Sequence, residues 1–165
     1  MNYMSKSPRI FHLMQLAHRA LFRAADHRLQ EELGISAVQQ GALFVIAQND
    51  PCHPSDIAKA LDMNKSAVTT LVARLESSGF VLRKADPKDG RAHFICMSAK
   101  GQDAMRRSIP FTKQANDALL AGFSTTEVTT IERFLSQVID RSSRAASHSP
   151  SSQSRGSSPT HLKKV

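Results

Sequence analysis

The sequence predicts a mainly helical fold with one small β-hairpin. Apolar side chains recur at three- and four-residue spacing through most of the chain up to residue 141, which is the period of amphipathic helices. Two short apolar segments, residues 80–82 and 92–97, flank a turn rich in Asp, Pro and Gly and are typical of paired strands. With 165 residues, 41% of them hydrophobic, the chain can bury one core that a second subunit could extend.

The first helix is predicted over residues 9–33, with Gly34 ending it. It carries two apolar stripes. One contains Leu13, Ala17, Ala20, Leu21, Ala24 and Leu29, and the other contains Phe11, Met14, His18 and Phe22. A helix with two apolar faces needs two partners, so we expect one face to pack in its own domain and the other against a second subunit.

Two shorter helices follow. Ser36 is placed to cap a helix over residues 37–49, which the turn signal Asp50-Pro51 closes. Its core side is expected to consist of Gln40, Leu43, Phe44 and Ala47, with Val45 and Ile46 beside them. Pro54 suits the first position of the next helix, and Asp56 then faces the positive end of the helix dipole.

A helix over residues 65–78, with Asn64 as its N-cap, has two contrasting faces. Its apolar stripe consists of Val68, Leu71, Val72 and Leu75, and its other face presents Lys65, Ser66, Thr69, Thr70, Ala73, Arg74 and Ser77. Small hydroxyls and methyls beside cations are suited to a DNA groove, where base edges and phosphates must both be contacted. An ordinary surface helix with few acidic residues is the alternative interpretation.

The segment after this helix reads as a hairpin with a charged tip. Gly79 is placed to stop the helix, and the turn is built from Asp86, Pro87, Asp89 and Gly90. Around it lie the cations Arg83, Lys84, Lys88 and Arg91. A basic hairpin beside a two-helix unit is the arrangement of a winged helix-turn-helix, although a solvated hairpin with a charged tip is also common.

Two long helices complete the predicted fold. Ser98 is placed to cap the first, in which Pro110 should cause a kink or an interruption. Ser124 and Glu127 form a capping box at the start of the second. The apolar stripe of that last helix contains Val128, Ile131, Phe134, Leu135, Val138 and Ile139.

The segment from residue 86 to 101, DPKDGRAHFICMSAKG, resembles the signature of the MarR family of bacterial transcription regulators. In that family an Asp-x-Arg pair in the wing precedes a strand and a Thr/Ser-x-Lys-Gly helix start, matched here by Asp89-Gly90-Arg91 and Ser98-Ala99-Lys100-Gly101. The preceding SAVTTLVARLESSGFV is similar to the family's recognition helix. Two positions depart from the pattern, since Gly90 and Thr70 stand where the family often has Arg.

This resemblance implies binding to double-stranded DNA. The residues expected to contact DNA are Ser55, Lys65, Ser66, Thr69, Thr70, Arg74, Lys88 and Arg91, while Asp89 and Gly90 shape the wing. The helix over residues 65–78 would enter the major groove, and Arg91 with Lys88 would reach the minor groove or the phosphates. A two-fold symmetric protein would require a pseudo-palindromic operator with half-sites about one helical turn, ~34 Å, apart.

The resemblance also implies a homodimer in which the first and last helices of both subunits interleave. The expected organisation is a helical dimerisation region (residues 1–33 and 98–141), a winged helix-turn-helix domain (34–97) and a disordered basic tail (142–165). Family members often bind small aromatic or phenolic acids, which relieve repression. Met14, His18, Arg19, Phe22 and Phe44 could line such an effector pocket, although the Phe and Met side chains could simply be core.

Charge and composition limit the other possibilities. The net charge of +8 is concentrated partly in the tail, where five cations follow Asp140 with no acidic residue. That tail could add nonspecific attraction to DNA or be a solvated segment without function. Two cysteines and no signal peptide or membrane span fit a cytoplasmic protein.

Catalysis, metals and cofactors are not expected, because the sequence contains no H-E-x-x-H, Cys-x-x-Cys, G-x-S-x-G or phosphate-binding Gly loop. One MarR branch senses peroxides through a reactive Cys near its first helix, where this chain has none. Cys52, which follows Pro51 in a turn, is expected to be exposed, whereas Cys96 lies in an apolar strand. Thiol-based sensing and a winged-helix module for protein or RNA contact therefore stay as alternatives.

Overall fold

A computed structural model describes residues 9–49, 51–86 and 93–147. Its elements are α1 (Ile10–Leu33), α2 (Ala37–Gln48), α3 (Pro54–Ala60), α4 (Lys65–Ser77), β1 (Val81–Ala85), β2 (His93–Met97), α5 (Ala99–Leu120) and α6 (Thr125–Ser147). The prediction of a mainly helical fold with a small hairpin is confirmed. None of the described helices combines the length and apolar composition needed to cross a membrane.

Local sequence signals account for where the helices begin. The Ser36 hydroxyl accepts a hydrogen bond from the Gln39 backbone N–H at 3.2 Å, and the Gln39 side chain accepts one in return from the Ser36 N–H at 2.8 Å. At α4, the Asn64 side chain accepts from the Ala67 N–H at 2.8 Å. These caps satisfy N–H groups that the first turn of a helix leaves without partners.

The chain divides into two compact units, one up to Asn116 and one from Asp117 onward. The core of the first unit is formed by buried side chains of α2, α3, α4, the hairpin and the segments beside them, with Leu29 from α1 and Ala104 from α5. Its larger members are Leu29, Ile35, Leu43, Ile46, Ile57, Val68, Leu71, Val72, Leu75, Phe80, Val81 and Ile95. The whole predicted stripe of α4 is in this core, so the orientation of that helix is confirmed.

The predicted core side of α2 is wrong in part. Its buried residues are Ala42, Leu43, Val45 and Ile46, whereas Gln40 and Phe44 are half-buried and Ala47 is exposed. The reason is that α2 packs against α1, α3 and β2. A helix covered on several sides buries a broader surface than the single face that its spacing suggested.

The hairpin is antiparallel, with Val81 opposite Met97 and Arg83 opposite Ile95. Phe80, predicted to begin the first strand, instead lies in the turn that closes α4, where its N–H donates to the Leu75 carbonyl at 2.8 Å, and the strand begins at Val81. Residues 87–92, which include most of the predicted wing turn, lie outside the described residues.

The expectation that Cys52 is exposed is wrong, since its side chain is fully buried. The Ile95 N–H donates to the Cys52 carbonyl at 2.8 Å, so the segment between α2 and α3 joins the edge of the hairpin. Burial, with smaller contributions from Asp56 and Cys96, raises the pKa of the Cys52 thiol to about 11. A thiol that resists ionisation is a poor nucleophile, which argues against peroxide sensing through Cys52.

Helix α5 continues through Pro110 without interruption. In α6, the predicted capping box is present: the Ser124 N–H donates to Glu127 Oε2 at 2.8 Å, and hydrogen bonds from Ser124 lower the pKa of Glu127. The boundary of the predicted tail needs correction. Helix α6 extends to Ser147 because no proline or glycine interrupts the chain before Pro150.

Candidate nucleic-acid interface

The outer face of α4, opposite its buried stripe, collects most of the predicted DNA-contact residues. Its exposed members are Lys65, Ser66, Thr69, Thr70, Ala73 and Arg74. Since four buried side chains anchor the other side of the helix, this face has a fixed orientation relative to the core. These six residues provide two cations and three hydroxyls, and the exposed acidic residue of the helix, Glu76, lies toward the hairpin, where it pairs with Arg83.

The hydroxyls of this face donate hydrogen bonds to acceptors in α4 and in its N-cap residue. Thr69 Oγ1 donates to the Lys65 carbonyl at 2.8 Å, and Thr70 Oγ1 donates to the Ser66 carbonyl at 3.1 Å. Ser66 Oγ donates to Asn64 Oδ1 at 2.7 Å. A hydroxyl that donates once keeps lone pairs for accepting, so this surface offers hydrogen-bond acceptors as well as cationic donors.

Thr69 and Ser55 meet at a cavity of about 290 Å³ between the helix-turn-helix and the hairpin. Its lining consists of His53, Pro54, Ser55, Thr69, Val72, Arg83, His93 and Ile95. Arg83 and His93 were not among the predicted DNA contacts. The register of the hairpin explains why Arg83 lines this cavity. Arg83 is directly opposite buried Ile95, so both residues lie on the hairpin face that turns toward the helices.

Arg83 also forms an ion pair with α4. Its Nε lies 3.0 Å from Glu76 Oε2, and the two side chains are 37% and 40% exposed, respectively. The sequence analysis placed Arg83 in a basic cluster, but no pattern of neighbouring residues indicated Glu76 as its partner.

Thr70 and Arg74 lie at a second cavity, of about 630 Å³, on the other flank of α4. Its remaining lining comes from α1, α2 and α4 and the segments beside them: Gln30, Gly34, Ser36, Val38, Gln39, Met63, Ala67, Leu71, Ser77 and Ser78. The structure therefore separates the predicted contacts into two groups, with Thr69 and Ser55 on the hairpin side and Thr70 and Arg74 on the α1 side.

The far end of α4 is held by the motif at the start of α5. Lys100 Nζ donates to the Ser78 carbonyl at 2.8 Å and lies 4.4 Å from the centre of the Phe80 ring. Ser98 Oγ donates to the Gly79 carbonyl at 2.6 Å and accepts from the Gly101 N–H at 3.0 Å. These bonds give hydrogen-bond partners to the carbonyls at the end of α4 and connect that helix to α5.

Four predicted wing residues, Lys88, Asp89, Gly90 and Arg91, lie outside the described residues. Their roles stay predictions. From the described part of the hairpin, the exposed cations Arg83 and Lys84 belong to the same basic cluster.

The predicted effector residues are only partly brought together. The rings of His18 and Phe22 lie 4.3 Å apart, and Phe22 is 44% exposed. Arg19 is exposed, while Met14 and Phe44 are half-buried. In the described part of the chain, His18, Arg19 and Phe22 thus lie on an open surface of α1. Among the same residues, no group of three or more His, Cys, Asp or Glu side chains is placed to hold a metal ion.

Comparison with known proteins relates the chain to a known family. The model of the MarR family matches residues 35–93. A putative transcriptional regulatory protein for the hcr operon of Thauera aromatica is 31% identical over 97 residues, which cover 59% of this chain. The match spans 58% of that relative, less than two thirds of its length.

Solved structures establish the same fold over most of the chain. The Staphylococcus aureus MepR–DNA complex superimposes with a TM-score of 0.76 at 22% identity and covers 82% of this chain and 99% of MepR. Bordetella bronchiseptica BpsR, whose DNA binding is regulated by 6-hydroxynicotinic acid, gives a TM-score of 0.70 at 20% identity and covers 79% of this chain and 98% of BpsR.

Proposed function

This chain belongs to the MarR family of winged-helix regulators, and we propose that it is a homodimeric, sequence-specific regulator of transcription that binds double-stranded DNA in the cytoplasm. One observation carries the proposal: α4 buries its complete apolar stripe and exposes the hydroxyls and cations of Lys65, Ser66, Thr69, Thr70 and Arg74, while its acidic residue, Glu76, pairs with Arg83. The structural likeness to MepR, which was solved with DNA, supports it.

In the proposed complex, α4 lies in the major groove, which is wide enough for an α-helix. Ser66, Thr69 and Thr70 would face base edges, where their free lone pairs accept hydrogen bonds from cytosine or adenine amino groups. Lys65 and Arg74 would contact phosphates on the two sides of the groove. Ser55 would contact the backbone, and Lys88 and Arg91 would extend the contacts through the wing.

A second copy of the chain is proposed to cover apolar side chains that each unit exposes. On α1, Phe11 is 76% exposed and Leu13 is 55% exposed. On α6, Ile139 is 66% exposed and Leu135 is 45% exposed. Apolar surface of this extent commonly marks a protein interface. We therefore assign residues 1–33 and 98–141 to dimerisation, and two symmetric α4 helices would read a pseudo-palindromic operator with half-sites ~34 Å apart.

We further propose that the protein is a repressor released by a small aromatic or phenolic acid. The control of BpsR by 6-hydroxynicotinic acid supports an effector of this class. The paired rings of His18 and Phe22, with Arg19 beside them, offer apolar contact and a positive charge for a carboxylate. Such a ligand must bind the DNA-incompetent state more tightly than the DNA-bound state.

The proposed DNA binding is tested by selecting host genomic fragments with the purified protein and measuring its affinity for the selected duplex. A random duplex and a competitor RNA of equal length serve as controls. Preference for the selected duplex supports the proposal. Equal affinity for both duplexes would contradict sequence-specific recognition, and preference for the RNA would favour the winged-helix module for RNA contact.

The effector proposal requires a separate test. Aromatic acids, including 6-hydroxynicotinic acid as a probe, are added to the complex with the selected duplex. A compound that weakens this complex should lose its effect in His18→Ala, while the variant without ligand binds DNA as the natural protein does. An unchanged effect in His18→Ala would place the effector elsewhere.

A further inference from the structure

Arg83 contacts α4 through an ion pair with Glu76, and its side chain also lines a cavity. Its Nε pairs with Glu76 Oε2 at 3.0 Å. The same side chain lines the cavity of about 290 Å³ that contains Ser55 and Thr69. Thr69, Val72 and Glu76 follow one another at three- and four-residue spacing along the hairpin side of α4, so the cavity and the carboxylate are neighbours along the helix.

We propose that Arg83 binds a phosphate of the DNA backbone, and that Glu76 is a built-in competitor which holds Arg83 in the free protein and is displaced by DNA. The proposal rests on the proposed function, because it requires that α4 faces a duplex. It adds Arg83 to the residues that strengthen DNA binding and assigns to Glu76, the acidic residue of α4, a weakening effect on the same binding.

The chemistry of the guanidinium suits this exchange. Arginine has five N–H donors in a planar array that matches phosphate oxygens, and Glu76 contacts the Nε donor. A partly exposed ion pair is weak, since water and salt screen it. A duplex phosphate brings a dense negative field and releases condensed counterions when a cation replaces them. DNA can therefore break the Arg83–Glu76 pair at a small cost in binding free energy.

The position of Arg83 supports the choice of a phosphate as its partner. Ser55 and Thr69, both proposed to face DNA, line the same cavity. A backbone that passes over this cavity would place phosphate oxygens within reach of Arg83, and it would also bring negative charge toward Glu76. Repulsion between phosphate and carboxylate then favours transfer of the guanidinium from Glu76 to the DNA.

The experiment compares Glu76→Gln, Arg83→Gln and the double variant, using the selected duplex and a random duplex across a salt series. Glu31→Gln is the matched control, because it removes the same charge from a carboxylate that pairs with His27 on α1. Thermal unfolding of each variant shows whether it is folded. If Arg83→Gln fails to fold, the comparison of Glu76→Gln with Glu31→Gln still decides whether Glu76 opposes binding.

We expect Glu76→Gln to tighten binding to both duplexes about two- to fivefold, the range that an exposed ion pair accounts for. Arg83→Gln should weaken both about fivefold and reduce the salt slope by about one. In the double variant, the gain from Glu76→Gln should be absent.

Several outcomes would overturn the exchange. An equal gain in Glu31→Gln would assign the effect to general charge, and a gain that persists without Arg83 would assign it to direct repulsion of DNA by Glu76. Unchanged binding in Arg83→Gln would show that Arg83 does not contact DNA. Unchanged binding in Glu76→Gln would show that Glu76 does not compete with DNA for Arg83. Failure of the natural protein to bind any duplex would instead overturn the proposed function.

Discussion

Gly101 lies so close to Phe80 that it has no room for a side chain: a Cβ at Gly101 would overlap the Phe80 carbonyl oxygen. This close approach puts the first turn of α5 directly against the residue that links α4 to β1. Ser98 and Lys100 bond to carbonyls in the same region. The Ser-x-Lys-Gly motif therefore connects α4, the hairpin and α5.

Gly101→Ala should therefore destabilise the protein. The added methyl meets a backbone atom that cannot move without displacing β1, and we expect a loss of about 1–3 kcal/mol in the free energy of unfolding, measured with urea. Gly41→Ala is the control, because its Cβ would meet only the end of the flexible Leu61 side chain, at 3.3 Å. A smaller loss at Gly101 than at Gly41 would contradict the assigned role of the close contact.

Thr69→Ala should reduce discrimination at one base position. Thr69 is exposed at the centre of the proposed reading face, and its hydroxyl donates to the Lys65 carbonyl of its own helix. We expect a loss of about 1–3 kcal/mol for the selected duplex and nearly unchanged affinity for a random one, measured by titration. Thr69→Ser retains the hydroxyl and serves as the control. Equal losses on both duplexes would show that Thr69 does not read a base.

Arg91→Ala should weaken binding to every duplex. Arg91 is proposed to meet phosphates or the narrow minor groove, and Gly90 leaves the wing sequence without a second Arg beside it. The slope of log affinity against log salt should fall by about one, whereas Thr69→Ala should not change it. Unchanged salt dependence in Arg91→Ala would remove this residue from the set of DNA contacts.

Leu135→Asp should weaken dimerisation and DNA binding together. The substitution puts a charge on the proposed interface of α6, where the leucine is 45% exposed in the single chain. Light scattering at micromolar concentration should show a dimer for the natural protein and a shift toward monomer for the variant. Thr129→Asp, on the opposite side of α6, is the control. A monomeric natural protein would contradict the dimer proposal.

Burial of Cys52 should make stability depend on alkaline pH. Its folded pKa of about 11 lies above the usual value near 9, so the neutral thiol is favoured by folding. Below pH 9 the Cys52 thiol is protonated in both the folded and the unfolded protein, so its ionisation does not lower the free energy of unfolding. Between about pH 9 and 11 the thiol ionises only in the unfolded protein, so the free energy of unfolding falls as the pH rises. Unfolding free energies across this range should decline less steeply in Cys52→Ala. The same slope in the variant would exclude Cys52 as the cause.

Local patterns in the sequence were sufficient for most of the secondary structure. The spacing of Val68, Leu71, Val72 and Leu75 alone predicted the buried side of α4, because one face of this helix packs inward and the other meets solvent. Asn64 and Ser124 predicted helix starts because capping involves residues only a few positions apart. The candidate reading face followed directly, as the surface opposite the stripe.

Contacts between distant residues required the tertiary structure. The broad burial of α2 depends on three neighbouring elements, and Cys52 is buried because its backbone pairs with Ile95, far along the chain. The pairing of Arg83 with Glu76 likewise depends on how the hairpin returns against α4. By itself, the sequence determined the helices, their caps and the face presented by α4, since these depend on spacing within a few turns. Only the tertiary structure decided which cation meets which acid and which thiol is removed from solvent, because those are set by packing between elements.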